Sequence, residues 1–88
     1  MVFLLDIPEQ LDKLFKKLAQ RDKKQLEALD KKIKQVLADP YHFKPLRGDK
    51  KGSRRVHIDS SFVLIYEIDE KNNTIKLLDY QHHDSVYG

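Results

Sequence analysis

The chain has 88 residues, 40% apolar and 35% charged, with no cysteine and a formal net charge of +3. Such a length supports one modest core, and hence a single domain over residues 1–88; the balance of apolar and charged residues excludes a disordered chain, and no apolar run nears the ~20 residues of a membrane-spanning helix. The absence of cysteine excludes disulfide staples, cysteine-based zinc sites and thiol catalysis.

The opening MVFLLDIPEQ lacks the basic flank and the long apolar stretch of a signal peptide, so residues 2–7 read as a first strand of a soluble, cytoplasmic chain. Pro8 suits the first turn of a helix, with Asp6 near its cap. Leu11, Leu14, Phe15 and Leu18 then form one apolar stripe at helical spacing, with Asp12 and Lys16 paired on the outside. The pattern breaks at Gln20-Arg21-Asp22. A second stripe of Leu26, Leu29, Ile33, Val36 and Leu37 follows, and Asp39-Pro40 ends it. Two such helices with a short link predict an antiparallel hairpin whose alternating charges are a solvated face.

Residues 41–52, YHFKPLRGDKKG, have no period and read as a loop, in which His42 carries no evident role. Residues 54–58 read as a strand. The two-residue period sends Val56 and Ile58 to one face, with Arg54 nearby at the strand start, and Arg55 and His57 to the other. Asp59-Ser60-Ser61 makes a turn, and the β-branched and aromatic run from Phe62 predicts a central strand over residues 62–69, buried on both faces. Lys71-Asn72-Asn73 makes the next turn, and residues 74–80 form a last strand with Ile75 and Leu77 on one face. The predicted fold is α+β in the order β-α-α-β-β-β, an antiparallel sheet with a helical hairpin packed on one face and the opposite face open.

Charge is concentrated in one place. Residues 44–55 hold six bases (Lys44, Arg47, Lys50, Lys51, Arg54, Arg55) against one acid, while the other 76 residues hold 11 bases and 13 acids. That local excess suits a polyanion, although a solvated loop explains it too. The four histidines lack metal-ligand spacing, so no metal or other cofactor is expected. Ser60 and Ser61 lie in a turn without the setting of a nucleophile. Imidazole, guanidinium and phenol remain, from His57, Arg54, Arg55 and the tail His83-Asp84-Ser85-Val86-Tyr87. They suit cleavage of RNA, which brings its own 2′-hydroxyl nucleophile and needs proton transfer and cations around the phosphorane.

The order of elements, Pro45-Leu46-x-Gly48, Gly52-x-Arg54-x-x-His57-Ile58 followed by Leu64-Ile65-Tyr66, and the ending His83-x-x-x-Tyr87-Gly88 together resemble the RelE/ParE superfamily of toxin–antitoxin toxins. Within it the chain is most similar to the RelE and YafQ type, ribosome-dependent mRNA endoribonucleases silenced by a cognate antitoxin. The resemblance implies that His83 is a general acid or base, that His57 is the strand histidine of the YafQ type, that Arg54 stabilises the phosphorane and that Tyr87 orients or stacks on the substrate. It leaves Lys44, Arg47, Lys50, Lys51 and Arg55 as phosphate contacts, with Phe62 able to stack a base or to pack in the core. The chain departs from the YafQ pattern at Ser61-Phe62, where that type carries Asp-Trp, so Asp59 stands in or no carboxylate is needed. It also carries Gln81 and His83 where the RelE type has Arg and Lys. Two further readings follow from the same fold: a ParE-like toxin that binds DNA gyrase, and a module that binds RNA or antitoxin without cleavage. The implied partners are an antitoxin, the ribosome and mRNA, with no membrane and no small-molecule cofactor.

Overall fold

The structure, a computed structural model, describes residues 2–45 and 52–82. Strand β1 (Leu4–Asp6) leads into helix α1 (Glu9–Arg21) and helix α2 (Lys23–Ala38), and strands β2 (Arg54–Ile58), β3 (Phe62–Asp69) and β4 (Thr74–His82) follow. Pro8 sits at the N-cap of α1 with extended backbone, φ −63° and ψ 153°, where its missing N–H is no loss. Asp22 alone joins the helices. Its N–H donates to the Leu18 carbonyl at 2.8 Å, closing α1, and its side chain accepts from the Gln25 N–H at 3.1 Å, capping α2. The predicted stripes face inward: Leu11 and Phe15 from α1, and Leu29, Ile33 and Val36 from α2, are buried. The expected pair of Lys16 and Asp12 forms at 3.1 Å.

The sheet has the order β1-β4-β3-β2. As expected, β2, β3 and β4 are antiparallel neighbours. However, β1 pairs with β4 in parallel, Leu5 opposite Ile75, so the sheet is mixed rather than antiparallel throughout. The prediction rested on tight turns, which fix direction only within β2 to β4. β1 reaches β4 through the whole intervening chain, and long connections permit parallel pairing. The join is held by Leu4 N–H donating to the Asn73 carbonyl at 2.8 Å and Asn73 Nδ2 donating to the Val2 carbonyl at 3.0 Å. Asn73 takes a left-handed φ of 54°, as does Asp59 (φ 52°) in the β2–β3 turn; their short polar side chains suit that region.

The helices cover one face of the sheet, where Val56, Ile58, Leu64, Tyr66, Ile75 and Leu77 are at most 2% exposed. Each such side chain contributes about 1.5–3 kcal/mol of burial. Val63, which alternation sends to the other face, is fully buried as well, in keeping with a central strand hidden on both sides. One irregularity re-phases β4. Ile65 pairs with Asp79 but Tyr66 pairs with Leu77, so Leu78 is an extra residue, a β-bulge. Strict alternation from Ile75 and Leu77 would turn Tyr80 away from the helices, whereas beyond the bulge Tyr80 faces Phe15, edge-on at 5.8 Å.

Candidate functional site along the outer edge of β2

β2 is the edge strand of the sheet, and the connection leaving α2 runs back along it. The Arg55 N–H donates to the Lys44 carbonyl at 3.1 Å, and Pro45 bridges Arg54 in antiparallel fashion. Between this connection, α2 and the strand lies an open groove of about 350 Å³, lined by Lys32, His42, Phe43, Lys44, Arg55, Val56 and His57. Three basic side chains and two imidazoles meet there, and among the described residues no carboxylate lines it. Such a groove attracts a phosphate backbone and offers groups able to carry a proton.

The structure divides the predicted residues. His57, Arg55 and Lys44 line the groove together. His57 and Lys44 are exposed, while Arg55 is half-buried and donates from Nη1 to the Pro45 carbonyl at 3.3 Å. Arg54 does not join them. It lies on the same face as Val56 and Ile58, paired opposite the buried Tyr66. Its Nη1 donates to the Phe43 carbonyl at 2.7 Å and the Tyr41 carbonyl at 3.4 Å, and its guanidinium lies over the Tyr41 ring, 5.4 Å from the centroid. Tyr41 is fixed in turn by its hydroxyl, which donates to Glu70 at 2.9 Å. That bond, with some burial, raises the phenol pKa. Arg54 is thus a clamp behind the groove wall, and its geometry serves the backbone rather than a substrate phosphate.

Phe62 is also placed away from His57. Its ring stacks on Tyr80 at 5.3 Å and 8°, with His82 edge-on at 5.4 Å, and it packs against the core under the helices. Of the two roles open to it, packing is the one these contacts serve. Arg47, Lys50, Lys51, His83 and Tyr87 lie outside the described residues. Two of the lining residues able to carry charge were not singled out from the sequence. Lys32 follows Leu29 by three and precedes Val36 by four, so it borders the apolar stripe of α2 and leans toward what α2 covers. His42 gave no signal, because the loop around it has no period.

Among the described residues no group of three or more His, Asp or Glu side chains is placed to hold a metal ion, and no helix is long and apolar enough to cross a membrane. Residues 6–87 match the family of the ParE toxin of the type II toxin–antitoxin system parDE. The chain belongs to this toxin family, within the RelE/ParE superfamily. The toxin candidate RelE4 of Methanocaldococcus jannaschii is 43% identical over 86 residues, covering 98% of this chain and 92% of the relative. Among solved structures, a double variant of the Escherichia coli toxin RelE in the free state superposes with a TM-score of 0.78 at 25% identity, over 99% of this chain and 92% of that one. The RelE–RelB complex of Pyrococcus horikoshii OT3 shares the fold, with a TM-score of 0.73 at 19% identity over 93% and 96% of the two chains. The protein is therefore a toxin of a type II toxin–antitoxin system with the α+β fold of RelE.

Proposed function

We propose that this toxin is a ribosome-dependent mRNA endoribonuclease that halts translation by acid–base cleavage of the message in the ribosomal A site. The observation that carries this reading is the basic groove in which His57 meets Lys32, Lys44 and Arg55. The cations seat and neutralise a backbone phosphate, and an imidazole moves a proton at neutral pH. Arg47, Lys50 and Lys51 extend the phosphate contacts, and by resemblance His83 is a candidate for the second proton transfer and Tyr87 for orienting the substrate. Arg54 supports the wall of the groove. The likeness to proteins named RelE favours this reading.

A cognate antitoxin is the implied partner, since the family is that of toxin–antitoxin systems and the Pyrococcus horikoshii relative was solved with RelB. An acidic or amphipathic segment laid over the basic groove would cover it and silence the toxin. The place of action is the cytoplasm, where translation runs.

A second reading, gyrase binding without cleavage, is favoured by the ParE description of the matching family. Primer extension on a translated mRNA with purified ribosomes separates the two. Cuts at A-site codons by the wild type, reduced about 10²–10⁴-fold in His57→Ala, are the expected result. Intact mRNA together with inhibited supercoiling establishes the gyrase reading instead.

A further inference from the structure

The resemblance gave His42 no role, yet the fold brings it to the groove that His57 lines. The backbone on both sides of it is fixed. Arg54 Nη1 donates to the carbonyls of Tyr41 and Phe43, the residues directly before and after His42, at 3.4 and 2.7 Å. The His42 N–H donates to the Asp39 carbonyl at 3.2 Å, and its ring sits edge-on to Phe43 with centroids 5.0 Å apart. One half-buried guanidinium thus holds the carbonyls on both sides of His42 and fixes where its side chain leaves the connection. The same groove is lined by Lys32 from α2, Lys44 from the same connection, and Arg55 and His57 from β2, each a proton carrier or a cation, together with Phe43 and Val56.

We infer that His42 is the second proton-transfer group of the site, working across the groove from His57, with Arg54 as its positioning residue. The inference rests on the nuclease reading and deepens it, placing the second proton transfer on His42 in place of His83. One imidazole takes the proton of the 2′-hydroxyl as O2′ bonds to phosphorus. The P–O5′ bond breaks, the departing O5′ receives a proton from the other imidazole, and a 2′,3′-cyclic phosphate and a free 5′-hydroxyl result. No oxidant, metal or water is consumed. Lys32, Lys44 and Arg55 offset the negative charge of the phosphorane between the two rings.

The test uses the full chain with purified ribosomes and two mRNAs, one with a normal scissile phosphate and one with sulfur replacing its bridging 5′-oxygen. A thiolate leaves without a proton, so the sulfur substrate bypasses the general acid. On normal mRNA, His42→Ala and His57→Ala should each lose about 10²–10⁴-fold in rate, with His83→Ala losing less than either. On the sulfur substrate one of the two variants, and only one, should recover to near the wild-type rate; that variant lacks the acid and the other lacks the base. Arg54→Lys, which cannot grip both carbonyls, should lower kcat with KM unchanged. His42 is exposed, and His42→Gln provides a second variant that keeps a polar side chain there. A wild type that cuts while His42→Ala and His42→Gln cut at its rate overturns the inference alone. So does a greater loss in His83→Ala than in His42→Ala, or rescue of both variants or of neither. A wild type that cuts no mRNA overturns the nuclease reading and this inference with it.

Discussion

Tyr66, at the centre of β3, donates its hydroxyl to the Pro40 carbonyl at 2.6 Å, tying the middle of the sheet to the chain as it leaves α2. The ring is fully buried, so the bond is shielded from water and neither partner has a ready substitute. Tyr66→Phe should lower stability by about 1 kcal/mol, through the lost bond and the stranded carbonyl. Urea unfolding would show a lower midpoint at an unchanged slope.

The same hydroxyl predicts an alkaline limb of stability. Burial, aided by Asp39 and opposed by Arg54, pushes the Tyr66 phenol up to about 12, whereas in the unfolded chain it titrates near ~10. The unfolded state therefore sheds its proton first. The Tyr66 contribution is complete below about pH 10, declines as pH rises to about 12 and is constant beyond. Subtracting the stability profile of Tyr66→Phe from that of the wild type should isolate this decline, and a flat difference would refute it.

Asp22 offers a local test of the helical hairpin. Asp22→Ala removes the side-chain acceptor of the Gln25 N–H and leaves the α1 closure by its own N–H intact. The expected loss is about 0.5–2 kcal/mol. Hydrogen exchange should report it as faster opening in the first turn of α2 and not in the last turn of α1.

Arg54→Ala should destabilise less than its two carbonyl contacts alone suggest. Charged hydrogen bonds contribute about 1.5–3 kcal/mol each, but the Arg54 Nε is buried without a partner, a standing penalty that the substitution relieves. A net loss of about 1–2 kcal/mol in chemical unfolding follows from setting one against the other.

Lys32 and Lys44 should act on affinity for RNA in a manner readable from salt. If both contact phosphates, changing each to Gln lowers the slope of log K against log salt for single-stranded RNA by about 0.7 per residue. A slope that stays at the wild-type value for Lys32→Gln would remove α2 from the RNA-binding surface.

Much of this arrangement is written locally. The run from Phe62 gave β3 its observed limits of Phe62–Asp69, because β-branched and aromatic residues crowd a strand and turn residues bound it. The helical stripes were equally plain, and the alternation of Val56, His57 and Ile58 placed His57 on the solvent side as observed. What escaped was set by contacts distant in sequence. The parallel pairing of β1 depends on where the helices return the chain, and no property of residues 4–6 specifies it. The groove escaped for the same reason: Lys32, His42 and His57 lie on a helix, a loop and a strand. The direction of Arg54 was visible in the two-residue period that also sends Val56 inward, yet its charge and the family pattern pointed to the substrate.

The bulge at Leu78 ties the facing of β4 to one looped-out residue. Ile75 and Tyr80 are both buried and five positions apart, an odd interval that an uninterrupted strand would resolve onto opposite faces. Flattening the bulge while keeping every residue would exchange Asp79 for Tyr80, setting a carboxylate against Phe15 where a ring now rests, whereas deleting Leu78 would leave an even interval and keep Tyr80 on the helix side. Changes of identity at Leu78, 45% exposed, leave that layer alone. Variation within this toxin fold is therefore expected to keep the bulge and its extra residue together or to lose both together.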